Sequence, residues 1–327
     1  AIARWWGGEL KLTGTQFTHH KWIAGIEVQY DQREQLIGDD IDPKLDYNTN
    51  NTGWRAGVYV QDEYRVTNNL LINAGLRLDH HHNLKSLQLN PRIGLIWDIT
   101  PKLTTKLLYS SAFRAPNASE ADYSSRFTNN ANTNNNEELI KSYEAIVEWY
   151  PGGGLKLLST FFYNDFYKVI TKEPKSSKFT NTGKLKTYGF ELGAEKRWDN
   201  GRLFKLTWTH NYTRDEIVDG GGWAHDSPKN LVKLHYAEPL FKNYLLLGFE
   251  EIFVDQRRTL ANNIAPEYNL FNINLSLAKP VFGIQTSLGI YNVLDQHFKI
   301  VGGSGLAPLD ILSMDGRTVR FRLEYSF

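Results

Sequence analysis

The sequence has no cysteine among its 327 residues. Disulfide bonds and thiolate metal sites are therefore excluded. It also lacks a long apolar run, since a helical membrane span needs about 20 consecutive apolar residues and a stretch such as YLLLGF at 244–249 is far shorter. Helical membrane proteins are thus excluded as a class.

An excess of charge of either sign is also absent. The 37 lysines and arginines nearly balance the 36 aspartates and glutamates, and the two signs alternate along the chain instead of clustering. A nucleic-acid-binding surface would need concentrated positive charge, so no nucleic acid is expected as a partner. The chain begins without a methionine or the apolar core of a signal peptide, and we expect it to be part of a longer protein.

Aromatic residues and a two-residue alternation are abundant instead. There are 17 tyrosines, 17 phenylalanines and 9 tryptophans. In LLINAGLRLD at 70–79, the even positions are all apolar and most odd positions are polar. The same period ends the chain, with large apolar residues at Val319, Phe321, Leu323, Tyr325 and Phe327. Period two predicts β-strands that have one apolar and one polar face.

Connections of alternating length separate fifteen such segments. The segments are 4–13, 19–35, 52–66, 69–81, 87–99, 102–113, 137–151, 154–171, 183–198, 201–215, 228–237, 243–258, 267–279, 281–294 and 316–327. Short turns such as PGGG at 151–154 alternate with long polar connections such as 295–315. Outer-membrane β-barrels have short periplasmic turns and long extracellular loops. The sequence therefore predicts an all-β fold, a transmembrane antiparallel β-barrel, with a large soluble β-sandwich or propeller as the alternative.

The orientation of the strands follows from the same alternation. The apolar face is expected to contact lipid and the polar face to line the lumen, which places Arg55, Arg77, Arg92 and Lys205 inside. Strands that precede short turns run toward the periplasm, so the first and last strands both run inward and the C-terminus is periplasmic. Complete single-chain barrels have an even number of strands. At least one earlier strand is therefore expected outside these residues, whether cleaved, disordered or omitted.

Several motifs resemble those of TonB-dependent outer-membrane receptors. KLLYSSAFRAPNASE at 106–120, NNNEELIKSYEAIVEWY at 134–150 and GIYNVLDQHF at 289–298 are similar to conserved regions of that family in the same order. The resemblance covers essentially the whole chain. It implies a 22-stranded barrel of which residues 1–327 form the last fifteen strands, without the plug domain. Tyr325 and the terminal Phe327 resemble the signal that is read by the barrel-assembly machinery.

The resemblance also implies a function. A receptor of this family takes up a scarce nutrient, such as a siderophore or another metal chelate, with energy from the TonB complex. TonB would bind the N-terminal region that is absent here; membrane lipid and lipopolysaccharide would surround a monomer, and no cofactor is expected. A passive porin-like or adhesive barrel is the alternative. An enzyme is not expected, because no local signature sets a nucleophile and base apart.

The candidate ligand-binding residues lie in extracellular connections. Arg114, Glu120, Tyr123 and Arg126 belong to the connection 114–136, which is interpreted as a lid over an external pocket or as a solvated loop tip. Haem receptors of the family carry a haem-ligating histidine there, and this connection has none.

Histidines occur instead in the sequence LDHHHN, which contains His80, His81 and His82. They are interpreted either as surface residues or as ligands that capture a metal or its chelate. Adjacent strand residues point in opposite directions, so all three converge only if they lie in a turn. Six tryptophans are interpreted as interfacial girdle residues, with sugar stacking as the alternative: Trp5, Trp6, Trp22, Trp97, Trp149 and Trp198.

Overall fold

The structure is a computed structural model that describes residues 1–38, 47–122, 136–172, 179–217, 222–302 and 309–326. It has one short helix, α1 (Ala118–Asp122), and is otherwise built from strands. The strands are β1 (Ile2–Gly14), β2 (His20–Gly38), β3 (Tyr47–Thr67), β4 (Leu70–His81), β5 (Gln88–Thr100), β6 (Leu103–Arg114), β7 (Glu138–Gly152), β8 (Leu155–Lys172), β9 (Phe179–Arg197), β10 (Leu203–Asp215), β11 (Gly222–Trp223), β12 (Asn230–Leu240), β13 (Leu245–Val254), β14 (Arg257–Arg258), β15 (Ile264–Ala265), β16 (Tyr268–Leu277), β17 (Ile284–Tyr291), β18 (Lys299–Val301), β19 (Ile311–Ser313) and β20 (Thr318–Tyr325).

Fifteen of these strands form one antiparallel sheet. Each pairs with the next along the chain, in the order β1 to β10, then β12, β13, β16, β17 and β20, while β11 pairs with β10. Each of the fifteen falls on one predicted segment, so the predicted strand count and all-β class are confirmed. Within the described residues, no ladder joins β1 to β20.

One face of the sheet is predominantly apolar. Ile72 lies opposite Leu95, which in turn lies opposite Leu107, so the ladders carry the same face from strand to strand. These side chains have no covering layer: Leu107 is 50% exposed and Phe321 is 68% exposed. An apolar face of this extent needs an apolar environment. Among the described helices, none has the length and apolar character needed to cross a membrane.

The polar face is the inside of a curved sheet. The Tyr59 hydroxyl of β3 donates to Glu9 of β1, passing over Gly25 of the strand between them. A Cβ atom at Gly25 would lie 2.4 Å from the tyrosine oxygen, so a larger residue would block this contact. Side chains can reach past an intervening strand where the sheet is concave. The predicted luminal arginines, including Arg55 and Arg77, lie on this face.

Aromatic side chains lie at the ends of the outer face. Trp6, Tyr30 and Trp54 form one cluster there, with the two tryptophan rings 5.3 Å apart and edge to face. Trp5 differs from the girdle interpretation, because it is paired with Asp31 on the inner face. Trp5 and Trp6 are adjacent in β1, so their side chains point to opposite faces of the sheet.

Small elements in the long connections were not predicted from sequence. The hairpins β14–β15 and β18–β19 are tied together by Asp310, which accepts hydrogen bonds from Thr259 Oγ1 at 2.8 Å and Asn263 Nδ2 at 2.9 Å. These two donors lower the pKa of the Asp310 carboxyl group. Thr259 is fully buried at this junction. The hydrogen bonds to Asp310 therefore hold the connection between β13 and β16 against the connection between β17 and β20.

Candidate ligand-binding site

An ion-pair network lies on the inner face, near the connection between β2 and β3. Arg55 lies between two carboxylates of β2: its Nε is 2.5 Å from Asp31 Oδ2, and its Nη2 contacts Glu34 Oε1. Gln29 Nε2 donates to Asp31 Oδ1 at 2.6 Å. Asp31 is only 2% exposed, so its negative charge depends on these partners. A register shift between Asp31 and Glu34 places both carboxylates on one face.

His82 completes this network from the end of β4. Its Nε2 lies 3.2 Å from Asp31 Oδ2 and 3.9 Å from Glu34 Oε2. The backbone N–H of His82 donates to the carbonyl oxygen of Trp54 at 3.1 Å, which holds the turn against β3. The imidazole lies over Gly53, where a Cβ atom would be 2.3 Å from the ring Cγ. The absence of a side chain at Gly53 therefore makes room for the histidine.

A second charge network lies further along the same strands. Arg77 Nη2 donates to Glu27 Oε2 at 2.9 Å, and its Nε donates to Asp79 Oδ1 at 2.8 Å. The guanidinium passes over Gly57, where a Cβ atom would be 2.4 Å from Nη2. Because Gly57 has no side chain, the guanidinium of Arg77 can reach both Glu27 and Asp79 on the inner wall.

Arg114 and Glu120 pair with each other at the start of the predicted lid. Arg114 holds Glu120 through two bonds, Nη1 to Oε2 at 2.7 Å and Nη2 to Oε1 at 3.0 Å, and its Nε contacts Glu138. Asn117 and Glu120 form a reciprocal capping box on α1, with both hydrogen bonds at 2.9 Å. These two predicted ligand residues thus fix the path of the chain where β6 leaves the sheet.

A cavity of about 390 Å³ lies between this connection and the first network. It is lined by residues from both regions and by the first residues of the chain: Ala1, Ile2, Ala3, Glu34, Gln35, Leu36, Arg55, His81, Asn83, Ala115, Pro116, Asn117 and Ala118. The structure therefore brings one of the predicted histidines close to the segment that follows Arg114. Arg55, Glu34 and Asn83 supply polar groups, and the alanines and Pro116 supply apolar surface.

The three consecutive histidines divide between the two faces. His81 and His82 stack with ring centroids 5.0 Å apart, because β4 ends at His81 and His82 lies in the turn. His80 is paired with Ala56 on the outer face and is exposed. Of the other predicted residues, Tyr325 is opposite Ile284 on the outer face, and Tyr123, Arg126 and Phe327 lie outside the described residues.

The sequence did not single out Asp31, Glu34 or Arg55 as site residues. Period two places Asp31 and Arg55 on the inner face, but it would place Glu34 on the opposite face from Asp31. The irregular pairing of β2 with β3 after Asp31 turns Glu34 to the same face as Asp31. No local sequence pattern predicts this irregularity.

The same network contains a group of possible metal ligands. The ligand atoms of Asp31, Glu34 and His82 all lie within 4.8 Å of one another. Carboxylate and imidazole groups bind divalent transition metals. Arg55 already pairs with both carboxylates, so a bare cation would have to displace a guanidinium.

Comparison with known proteins gives the family. The family model described as "TonB dependent receptor-like, beta-barrel" matches residues 2–293. The chain therefore belongs to the TonB-dependent receptors, and the match is to the model of their β-barrel.

Individual relatives are more distant. The iron-regulated outer membrane virulence protein of Vibrio cholerae is 29% identical over 159 residues, which are 47% of this chain and 24% of that protein. Among solved structures, the ferric-catecholate import receptor Fiu from K12 E. coli has a TM-score of 0.76 at 14% identity, covering 99% of this chain and 55% of that one. The FrpB iron transporter from Neisseria meningitidis (F3-3 variant) has a TM-score of 0.72 at 16% identity, with 99% and 55% coverage. The copper transporter OprC has a TM-score of 0.76 at 16% identity, with 99% and 57% coverage. The chain thus spans between a quarter and just over half of these proteins' lengths.

Proposed function

We propose that this chain is the C-terminal part of the barrel of an outer-membrane receptor that takes up a metal chelate with energy from the TonB complex. Family membership over residues 2–293 is the observation that carries this proposal. The similar proteins are named for iron or copper, which supports a metal-containing substrate for this protein as well.

The proposed orientation places the long connections outside the cell and the C-terminus in the periplasm. In this arrangement the apolar face contacts lipid, and the remaining strands and the plug of a 22-stranded barrel belong to the longer protein. The TonB complex would bind that remaining region. Tyr325 and Phe327 would then form the end of the strand that the assembly machinery reads.

The cavity beside Arg55 is the proposed place of first contact with the substrate. It lies at the end of the inner wall that adjoins the long connections, where a ligand from outside would arrive. Arg55 is 38% exposed although it pairs with two acids, and a planar guanidinium can donate to carboxylate or catecholate oxygens of a chelate. His81 and Asn83 provide further polar groups on the same wall.

Deletion of the full-length gene from its host tests the proposal. Growth should fall under one of four limitations, namely iron, copper, zinc or cobalamin, and deletion of TonB should cause the same defect. Complementation with the full-length gene provides the control. Unimpaired growth under all four limitations would contradict the proposal, and uptake that persists without TonB would favour the passive barrel.

A further inference from the structure

Three long connections meet at one end of the sheet, on the side of its inner face. The first joins β10 to β12, the second joins β13 to β16, and the third joins β17 to β20. Tyr268 pairs with Val254, which shares the face of Glu250 and hence of Lys205 on the inner wall. Phe298 of the third connection packs against the Tyr268 ring, with centroids 4.8 Å apart. The third connection therefore turns toward the lumen.

Arg257 of the second connection lies between the other two. It is only 7% exposed although it carries a positive charge. Its guanidinium carbon is 5.2 Å from the centroid of the Tyr268 ring, and its Nη2 donates to the Lys299 carbonyl oxygen at 2.9 Å. Its Nη1 lies 3.6 Å from Asp226 Oδ1. One buried side chain thus contacts the first connection through Asp226 and the third through Lys299.

The burial of Arg257 favours a role in positioning over a role in stability. A buried charge is costly to desolvate, and an apolar side chain of similar volume often fills such a place without that cost. The side chain of Asp226 is 60% exposed, so its attraction for Arg257 is weakened by water. A guanidinium nevertheless offers several donors in one plane. It can therefore bond to groups of different connections at once, which an apolar side chain cannot do.

Arg258 adds two hydrogen bonds between the first and second connections. Its Nη1 donates to the Trp223 carbonyl oxygen at 2.8 Å. Its own carbonyl oxygen accepts from the Asp226 backbone N–H, also at 2.8 Å. A Cβ atom at Gly222 would be 2.7 Å from Nη1, so the glycine leaves room for the guanidinium.

Asp310 ties the second connection to the third. In addition to the side chains of Thr259 and Asn263, the backbone N–H of Ala261 donates to Asp310 Oδ1 at 3.3 Å. Thr259 and Ala265 are both fully buried. Connections that enclose buried residues of their own are packed against each other and not only bonded at their edges.

We propose that these connections behave as one unit, the luminal cap, and that Arg257 is its positioning residue. The luminal cap comprises residues 222–229, 255–267, 292–302 and 309–317. The coupling goes beyond the proposed function, whereas its effect on uptake rests on that function. A substrate that enters the lumen passes the cap, and an entrance that is ordered beforehand costs less conformational entropy on binding than one that must be ordered by the substrate.

Distances between spin labels test the coupling. Residues 1–327 contain no cysteine, so labels attach only at introduced positions once any cysteine elsewhere in the full-length protein is replaced by serine. Leu260→Cys with Ser313→Cys gives the second–third pair, and Leu260→Cys with Ser227→Cys gives the first–second pair. Pulsed electron paramagnetic resonance of the full-length protein in micelles measures each distance distribution. Heat-modifiable migration on gels confirms folding of each variant.

The native protein should give one narrow distribution for each pair. Arg257→Met should broaden both about twofold, Asp310→Ala only the second–third pair, and Arg258→Met only the first–second pair. Arg317→Met is the matched control, because Arg317 Nε donates to the Val293 carbonyl oxygen within the third connection. Both distributions should stay narrow in this control.

Two narrow distributions in Arg257→Met, or equal broadening in Arg317→Met, would overturn the proposal. If Arg257→Met does not fold, Arg257→Lys takes its place. A single ammonium group cannot reach both Lys299 and Asp226 in the way that two guanidinium nitrogens do. At least one distribution should then broaden, and two narrow ones would again overturn the proposal.

Uptake kinetics test whether the cap acts in the proposed receptor. The probe is a radiolabelled ferric catecholate chelate, and rates are compared at equal amounts of folded protein. Arg257→Met should raise the chelate concentration for half-maximal uptake about tenfold and leave the maximal TonB-dependent rate unchanged. An unchanged half-maximal concentration in a variant with broadened distributions would contradict the positioning role. Narrow native distributions that Arg257→Met broadens, in a protein that mediates no TonB-dependent uptake, would support the coupling and contradict only the proposed function.

Discussion

The inner and outer faces of the sheet carry their charges differently at the end with the long connections. On the inner face, arginines and acids satisfy each other: Arg55 lies between Asp31 and Glu34, and Arg77 lies between Glu27 and Asp79. On the outer face, one acid is shared by two lysines: Glu216 lies 2.8 Å from Lys184 Nζ and 2.7 Å from Lys186 Nζ. Each inner arginine therefore lies between two acids, whereas the outer acid lies between two lysines.

Glycine is the second difference between the faces. Gly25, Gly53 and Gly57 each have a neighbour's polar side chain lying across them on the inner wall. Gly8, on the outer face of β1, has nothing within 4 Å of the position that a Cβ atom would take. The inner wall thus depends on the absence of side chains at defined places, and the outer face does not. The two faces can be tested separately by substitutions that affect one of them.

The largest effect is expected from Arg55→Met. Asp31 would then be buried without its cationic partner, which for a well-buried pair costs about 3–5 kcal/mol. Arg55 is more than a third exposed, so we expect the free energy of unfolding to fall by about 2 kcal/mol. Denaturant unfolding of the full-length protein in micelles measures this change. Arg320→Met is the control, because Arg320 is exposed and lies over the Tyr291 ring; equal losses in both variants would show that Arg55 has no special role.

A smaller effect is expected from Gly53→Ala. The added methyl group would meet the ring of His82 and force it away from Asp31, at a cost of about 1–2 kcal/mol. Gly8→Ala adds the same group in open space and should change stability by less than about 0.5 kcal/mol. Unfolding midpoints of the two variants give the comparison. Similar values for both would mean that His82 moves aside freely.

A local effect is expected from Asn117→Ala. The substitution removes the side-chain acceptor for the Glu120 N–H, and loss of an N-cap costs about 1 kcal/mol. Hydrogen exchange at the Glu120 amide should become several times faster, while amides in the centre of β7 should keep their rates. Unchanged exchange at Glu120 would show that Arg114 alone holds the helix.

The smallest effect concerns pH and the outer face. Hydrogen bonds from Lys184 and Lys186 lower the pKa of Glu216 from 4.5 to about 2. A carboxyl group whose pKa is lowered on folding stabilises the protein above its unfolded pKa, and the stabilisation is lost as the pH falls from about 4.5 toward 2. The difference in thermal midpoint between the native protein and Glu216→Gln should therefore shrink over that range. A difference that stays constant between pH 6 and pH 2 would contradict the assigned ion pairs.

Much of the fold could be predicted from sequence, because strict alternation fixes both the strands and their faces. The end of the chain shows this directly: Val319, Phe321 and Leu323 lie on the outer face, as their period requires. The site was less predictable. Its composition depends on the irregular pairing after Asp31, which turns Glu34 inward, and on a turn that brings His82 back toward β3. Contacts that pass over Gly25 or Gly53 link strands that are not neighbours, and no pattern within one segment encodes them.

The initial rate of uptake of a labelled metal chelate is the most direct test of the proposed receptor. It should be measured in cells that express the full-length protein, with and without TonB, and be normalised to the folded protein in the outer membrane. We expect native uptake to fall to the gene-deletion background without TonB. Arg55→Met should reduce uptake severalfold at low chelate concentration, and Arg320→Met should leave it unchanged. Uptake that proceeds at the same rate without TonB would contradict an energy-coupled receptor and identify a passive barrel.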